Sequence, residues 1–243
     1  VHVGILGGTG PAGSGLAARL ASVGIEVTIG SRSAERAQQT CATAKQRWPD
    51  LDLSLEGADN EAASQAELVV VATPWDAVTS TAAALADYLE DKVVVSMANA
   101  IAMVGTELQP LFPPRGSMAA ALQAVLPTSL VAGAFHHLPA RSLADLDHPV
   151  DSDVLICSDH LAGIQATANL VELVPDLRPI DAGSLSSAAA IEAFTAVLLQ
   201  VNRRYRSHAT IRLAGVETVG RGAAARGARC VSGRGGSAGD APF

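Results

Sequence analysis

Aromatic side chains make up only 3% of the 243 residues, with four Phe, two Tyr and two Trp. Stacked rings therefore cannot carry the core. Small aliphatic residues must fill it through close approach of helices to a sheet, as in an alanine-rich α/β protein. Cysteine is scarce too: Cys41, Cys157 and Cys230 lie far apart with no C-x-x-C spacing, so neither a zinc site nor a disulfide framework is indicated. Cys157, in the apolar run from Val154, reads as a small core residue. No apolar run approaches the roughly 18 residues of a membrane span, and the chain enters a strand with no basic leader segment, so a cytoplasmic protein without a membrane partner is expected. Positive charge is also in short supply. A formal net charge of -7 and a pI near 5.3 exclude a broad nucleic-acid surface and leave room only for a local cationic site.

What is present is concentrated at the start. The run Val3-Gly-Ile-Leu6 stops at a glycine cluster and gives way to a helical pattern through Leu16, Ala17 and Leu20. Gly8, Gly10 and Gly13 fit G-x-G-x-x-G, in which the first glycine allows a tight turn, the second lets the backbone approach a pyrophosphate and the third lets helix and strand pack closely. The pyrophosphate would sit on the free N–H groups of the helix start. A second strand, Ile25–Ile29, completes a β-α-β unit. It ends in Gly30-Ser31-Arg32, with Arg36 one helical turn on, where an NAD site would carry an acidic ribose acceptor. A hydroxyl and two guanidinium groups suit a 2'-phosphate, so the cofactor reading is NADP. The competing reading is that Ser31 or Ser33 caps the next helix and the arginines are solvated.

Further along, a helix running to about Trp48 precedes an alternating strand Leu51–Leu55 and a short helix near Asn60–Gln65. Leu68–Ala72 and Lys92–Ser96 read as strands buried on both faces. Asp76–Leu89 reads as helix between them. The exits Thr73-Pro74-Trp75 and Met97-Ala98-Asn99 fall on the ligand crevice of a doubly wound sheet, where Trp75 either shields the crevice or starts a helix. Ile101–Ser117, with three prolines, reads as an irregular crossover, followed by a helix over Met118–Val125. A strand Ser129–Phe135 leads into His136-His137-Leu138-Pro139-Ala140. Adjacent histidines on extended chain point in opposite directions and no further ligand is spaced to join them, so no metal is expected. A strand Asp153–Cys157, a helix His160–Leu173 and the segment Leu177–Asp181 precede a long helix reaching about His208. Residues 216–243 have no apolar period and read as a disordered tail.

These segments together resemble the NADPH-dependent reductases of the deazaflavin coenzyme F420, most nearly their actinobacterial branch. The resemblance covers about residues 1–215 and rests on Gly7-Gly-Thr-Gly10, Gly30-Ser-Arg32, Thr73-Pro-Trp75, His136-His-Leu-Pro-Ala140 and Leu177-Arg-Pro-Ile-Asp-Ala-Gly183. It implies an N-terminal Rossmann domain, a doubly wound parallel sheet over 1–127 for NADP, and a smaller helical or mixed C-terminal part over 128–215 that holds the deazaflavin. By that similarity Thr9, Gly10, Pro11 and Ala12 bind the pyrophosphate, and Ser31, Arg32 and Arg36 the 2'-phosphate. Thr73, Asn99 and Ala140 line the nicotinamide half, His136 and Leu138 the deazaflavin loop, and Thr195 offers a hydroxyl nearby. Hydride would pass directly between NADP(H) and coenzyme F420, with His136 orienting and no side chain acting as acid or base; a homodimer is also implied. The chain departs from the pattern at Ala189, where some members carry arginine, at His137, and in the tail. Two other readings remain: an NADP-dependent dehydrogenase of another small substrate on this fold, and a non-catalytic NADPH-responsive binding protein.

Overall fold

The computed structural model describes residues 1–216. The disordered tail expected over 216–243 lies, apart from Val216, outside the described residues. Strands β1 (His2–Leu6), β2 (Glu26–Ser31), β3 (Leu55–Asp59), β4 (Leu68–Val71), β5 (Val93–Ser96), β8 (Leu130–Gly133), β9 (Ser152–Ser158) and β10 (Leu177–Asp181) form one eight-stranded sheet in the order β10-β9-β8-β5-β4-β1-β2-β3. Every neighbouring pair is parallel except β8 with β9. The chain reverses direction across the sheet between β1 and β4, and a doubly wound sheet opens its ligand crevice at that switch point. The sheet runs without a break from the N-terminal half into residues 128–215.

Helices α1 (Pro11–Ala21), α2 (Ala34–Arg47), α3 (Asn60–Ser64), α4 (Val78–Ala83), α5 (Ala86–Leu89), α6 (Met118–Val125), α7 (Ala140–Ala144), α8 (Leu161–Glu172) and α9 (Ala188–Tyr205) cover both faces. Strand residues alternate between the faces. Ile5, Val27, Val70 and Val95 pack with Leu16 and Leu20 of α1, Leu143 of α7 and Leu170 of α8, while Leu6, Val69, Val71 and Val94 pack with Val78 of α4 and Leu122 of α6. Trp48 is half-buried against the first of these layers, with the Arg47 guanidinium 5.1 Å above its ring. Both layers consist mainly of small aliphatics, which is how a chain so poor in aromatics closes its core.

Several local expectations need correction. The alternation Leu51–Leu55 is loop until Leu55, because β3 pairs with β2 only from Leu55 onward and Val27 N donates to the Ser54 carbonyl just before it. The helix expected over Asp76–Leu89 is a 3-10 turn, Trp75–Ala77, followed by α4 and α5; Leu85, with φ -118° and ψ 14°, interrupts it. The supposed crossover 101–117 contains an antiparallel hairpin, β6 (Ile101–Val104) and β7 (Glu107–Pro110), turned at Gly105 with φ +61°. Pro110 sits at the strand end, where its missing N–H costs little. The strand expected over Ser129–Phe135 stops at Gly133, since Phe135 has φ +63° and turns the chain. Helix α7, not foreseen, is tied to α1 by buried Arg19, whose guanidinium donates to the carbonyls of Ser142, Leu143, Asp145 and His148. The long helix stops at Tyr205 on Arg206, in the left-handed conformation. Leu185–Tyr205 has the length and mean hydropathy, 1.3, of a membrane span, yet its Ile191, Glu192, Thr195 and Ala196 are buried within the fold.

Candidate functional site

The glycine turn divides its work differently from the motif reading. Gly7, with φ +65°, supplies the left-handed residue, and its N–H donates to Asn60 Oδ1 at 3.1 Å. Gly8 is required for space: a Cβ there would lie 2.8 Å from the Ile5 carbonyl oxygen, and its N–H donates to the Gly30 carbonyl at 3.0 Å. A Cβ on Gly13 would lie 2.8 Å from Gly8 Cα, so α1 can approach the turn only with glycine at that position. Gly10 is different, because a Cβ there meets no protein atom within 4 Å. The protein leaves the space over Gly10 clear, at the N-terminus of α1, where Thr9, Pro11 and Ala12 border the free helix-start N–H groups.

At the end of β2, Ser33 caps α2 by accepting from Arg36 N at 3.2 Å, and Ser31 Oγ accepts from Ser33 N at 3.3 Å. The capping reading thus holds for Ser33, while Ser31 stays buried at the strand end. The Arg32 and Arg36 side chains are exposed and make no hydrogen bond or ion pair among the described residues.

The carboxyl ends of β4, β5 and β8 carry most of the unusual chemistry. Among the described residues, the buried side-chain polar atoms without a partner are Thr73 Oγ1, Ser96 Oγ, Asn99 Oδ1, both ring nitrogens of His136 and His137 Nδ1. Every one belongs to these three strand exits. Buried polar groups are normally paired, so their gathering on one edge makes it the candidate site. Asn99 Nδ2 donates to the His136 carbonyl at 2.9 Å, which locks the β5 and β8 exits together. The two histidines serve opposite ends of the problem. His137 Nε2 donates to the Asp153 carbonyl at 2.7 Å, and the Asp153 carboxylate is itself held by Arg178, at 2.6 and 2.7 Å, by Arg212 at 2.9 Å and by Leu213 N at 2.7 Å. Those donors hold Asp153 well below the usual carboxylate range, at about 2. His137 is therefore an anchor, and His136 the ring left for the site. Burial, with His137 beside it, pushes His136 down to about 3, so its imidazole is neutral at physiological pH. Phe135, a buried bulky residue in the left-handed region, carries the strain that aims this pair.

The other expected residues fall around this edge or just behind it. Pro74 and Trp75 are exposed at the β4 exit, where Trp75 opens a 3-10 turn. Leu138 is buried in the core, and Ala140 begins α7 with its carbonyl oxygen 3.0 Å from the Cβ position of Gly15 in α1. Thr195 is buried in α9, its hydroxyl 3.5 Å from the Ile191 carbonyl. Lys92 is remote, donating to the Ser64 carbonyl at 2.8 Å. The sequence reading missed Ser96, hidden by its place in an apolar strand, and Glu192, whose signal was a lone carboxylate in the apolar run of α9. No cluster of three His, Cys, Asp or Glu suited to a metal occurs among the described residues.

A glycine turn kept clear at a helix N-terminus, a switch point beside it and unpaired polar atoms along the same edge define a dinucleotide-binding protein of the Rossmann class. Comparisons with known proteins narrow this. A family profile described as NADP oxidoreductase coenzyme F420-dependent matches residues 2–100. The F420-dependent NADP reductase of Methanocaldococcus jannaschii is 37% identical over 225 residues, 89% of this chain and 100% of its own length. That of Methanothermobacter thermautotrophicus is 35% identical over 211 residues, covering 85% and 91% of the two chains. A crystal structure from Arthrobacter sp. FB24, of a chain provisionally named an F420-dependent NADP-reductase, superposes with a TM-score of 0.72 at 25% identity, over 87% of this chain and 98% of that one. The chain belongs to the F420-dependent NADP oxidoreductase family.

Proposed function

We propose that this protein transfers a hydride between NADP(H) and the deazaflavin coenzyme F420. The reading is carried by one coincidence. The edge on which a doubly wound sheet opens its ligand crevice is the edge on which this chain leaves Thr73, Asn99 and His136 with buried, unpaired polar atoms. When bound, the two cofactors supply the chemistry, a hydride passing directly from one ring carbon to the other.

The side chains then have to bind, orient and exclude water. Gly8, Gly10 and Gly13 with Thr9, Pro11 and Ala12 form the pyrophosphate cradle, and Gly10 leaves it open. Ser31, Arg32 and Arg36 receive the 2'-phosphate, since a fixed hydroxyl and two uncommitted guanidinium groups favour a phosphate and offer a bare ribose no acidic acceptor. Thr73, Pro74, Asn99 and Ala140 border the nicotinamide half, with the Thr73 hydroxyl and Asn99 Oδ1 available to a carboxamide. His136, Leu138 and Thr195 face the deazaflavin. In this assignment residues 1–127 hold NADP and 128–215 the second cofactor. A neutral His136 offers one N–H and one acceptor without placing a cation beside a cationic nicotinamide.

The protein is further proposed to work as a cytoplasmic homodimer without a nucleic-acid or membrane partner. Cys41 and Cys157 are free thiols, as a reducing compartment keeps them. Phe194, Val197 and Tyr205 of α9 are exposed, as are Met103, Val104 and Phe112 in and after the hairpin that Gln200 and Arg203 tie to that helix. A second copy would cover this apolar face.

The test mixes purified protein, NADPH and oxidised F420 and follows bleaching of the deazaflavin's visible absorbance. Bleaching in proportion to NADPH consumed is expected. Binding of NADPH without bleaching would refute the assignment.

A further inference from the structure

Strand β9 is left without a strand partner on one side where β8 turns away from it. The two strands pair at Ala132 with Ser158 and at Gly133 with Cys157, after which Phe135, in the left-handed region, redirects the chain. Further back along β9, at Asp153, two groups distant in sequence take the place of a neighbouring strand. The Asp153 N–H donates to the Ile211 carbonyl at 2.7 Å, and the Asp153 carbonyl accepts from His137 Nε2 at 2.7 Å. Ile211 belongs to the segment 207–216 that follows α9. Asn202 catches that segment as it leaves the helix, its Oδ1 accepting from Ala209 N at 2.6 Å. No residue of 207–216 is buried, so polar contacts rather than apolar area hold the segment to the sheet.

Those contacts converge on one side chain. The Asp153 carboxylate is fully buried, and a buried charge is tolerated only when it is paired and hydrogen-bonded. Arg178 of β10, opposite Asp153 in the register, supplies two donors. The segment supplies the others, Leu213 N at 2.7 Å and Arg212 Nη1 at 2.9 Å. Arg212 also pairs with Asp151 and donates to the Asp176 carbonyl at 2.8 Å, while Thr210 Oγ1 donates to the Asp151 carbonyl at 2.7 Å. In return Arg178 donates to the carbonyls of Leu213 and Val216. With its N–H and its carboxylate both held by the segment, Asp153 has one direction left for its carbonyl, the direction that meets His137.

We propose that segment 207–216 is a strap that positions the loop 136–140, with Arg212 as its positioning residue, acting through Asp153 on His137. This rests on the proposed F420 reaction, in which that loop carries His136 and Leu138 to the deazaflavin. Every link is a contact: Arg212 to the Asp153 carboxylate, the Asp153 carbonyl to the His137 ring, and His137 to His136 along the backbone. Such a strap sets the site of the second cofactor and leaves the first alone. The glycine turn is fixed instead by Asn60, through Gly7 N, and by the Gly30 carbonyl, through Gly8 N. Among the described residues no hydrogen bond runs from 207–216 to the turn, to Ser31, to Arg32 or to Arg36.

The experiment compares the wild type with Arg212→Met, which keeps the stem and leaves Arg178 and Leu213 N on Asp153, with Arg212→Lys, with His137→Leu, and with the double variant of Arg212→Met and His137→Leu. Leu138 N and Leu143 N are bonded to the Phe135 and Pro139 carbonyls, so hydrogen exchange across 136–143 reports the loop directly. In Arg212→Met without cofactors it should quicken by about tenfold, while β1 and β4 exchange as before. In the bleaching assay kcat/KM for F420 should fall by about tenfold, with the Kd for NADPH within about twofold, and Arg212→Lys should restore most of the loss. His137→Leu should cost about as much, and the double variant no more than about twofold beyond it, because both changes cut one path. Unchanged exchange at 136–143 overturns the proposal, and so does a full second loss in the His137→Leu background or an equal loss for F420 and NADPH. Where Arg212→Met fails to fold, Arg212→Lys, which keeps the charge and loses the fork, carries the same exchange comparison. A wild type that never bleaches F420 refutes the proposed reaction instead, and the exchange comparison alone then decides the strap.

Discussion

Removing Arg32 isolates the 2'-phosphate from everything else the cofactor touches. The residue is exposed at the end of β2, and Ser33 rather than Arg32 caps α2, so Arg32→Ala leaves the local fold intact. A charge-assisted hydrogen bond contributes about 1.5–3 kcal/mol, and an exposed guanidinium screened by solvent belongs at the lower end. A loss of about 1.5–2 kcal/mol corresponds to a roughly 10- to 30-fold weaker Kd for NADPH. NADH has no 2'-phosphate, so its Kd should move by less than about twofold if Arg32 acts on the phosphate alone. Fluorescence or calorimetric titration of both dinucleotides into both proteins reads this directly. Adding Arg36→Ala should cost NADPH a further, comparable factor. Equal losses for NADPH and NADH would show that the arginine serves the shared part of the cofactor and would refute the phosphate assignment.

Gly10→Ala and Gly13→Ala form a pair with opposite outcomes. The first adds a methyl to open space, leaving stability within about 0.5 kcal/mol while weakening NADPH; the second drives a Cβ to 2.8 Å from Gly8 Cα and should destabilise the apoprotein by about 1–3 kcal/mol in urea melts. Because His136 titrates at about 3 in the fold and near 6.5 when unfolded, the unfolded chain binds the extra proton between those values, and stability falls as pH drops through that window. His136→Gln should flatten that part of a plot of melting temperature against pH, and an unchanged slope would count against a buried neutral ring. Arg19→Met leaves the carbonyls of Ser142, Asp145 and His148 without their donor and should cost roughly 2–3 kcal/mol in chemical denaturation. It should also raise the KM for F420, through the loosened α7 and the His136–Ala140 loop; an unaltered KM would separate α7 from the site.

The sequence by itself determined the ends of this chain's logic: a β-α-β opening with glycines at fixed spacing, Ser31, Arg32 and Arg36 where a ribose acceptor would stand, and β-branched runs that only a doubly covered parallel sheet can bury. Those are local signals, set by backbone geometry and by periodicity within a few residues. Tertiary structure decided what depends on neighbours distant in sequence. That Gly7 rather than Gly8 makes the left-handed turn follows from Gly8 being wedged against Ile5. That His137 is anchored while both nitrogens of His136 stay without a partner follows from Asp153, Arg178 and Arg212, which lie 16 to 75 residues further along the chain and meet it through the strand pairing of β8, β9 and β10. The irregular reading of 101–117 failed because proline content masks a hairpin that α9 holds in place. Glu192 shows in the sequence only as a lone carboxylate in an apolar helix, since its partners, the N–H groups of Met118 and Ala119, reach it from α6 through the tertiary fold.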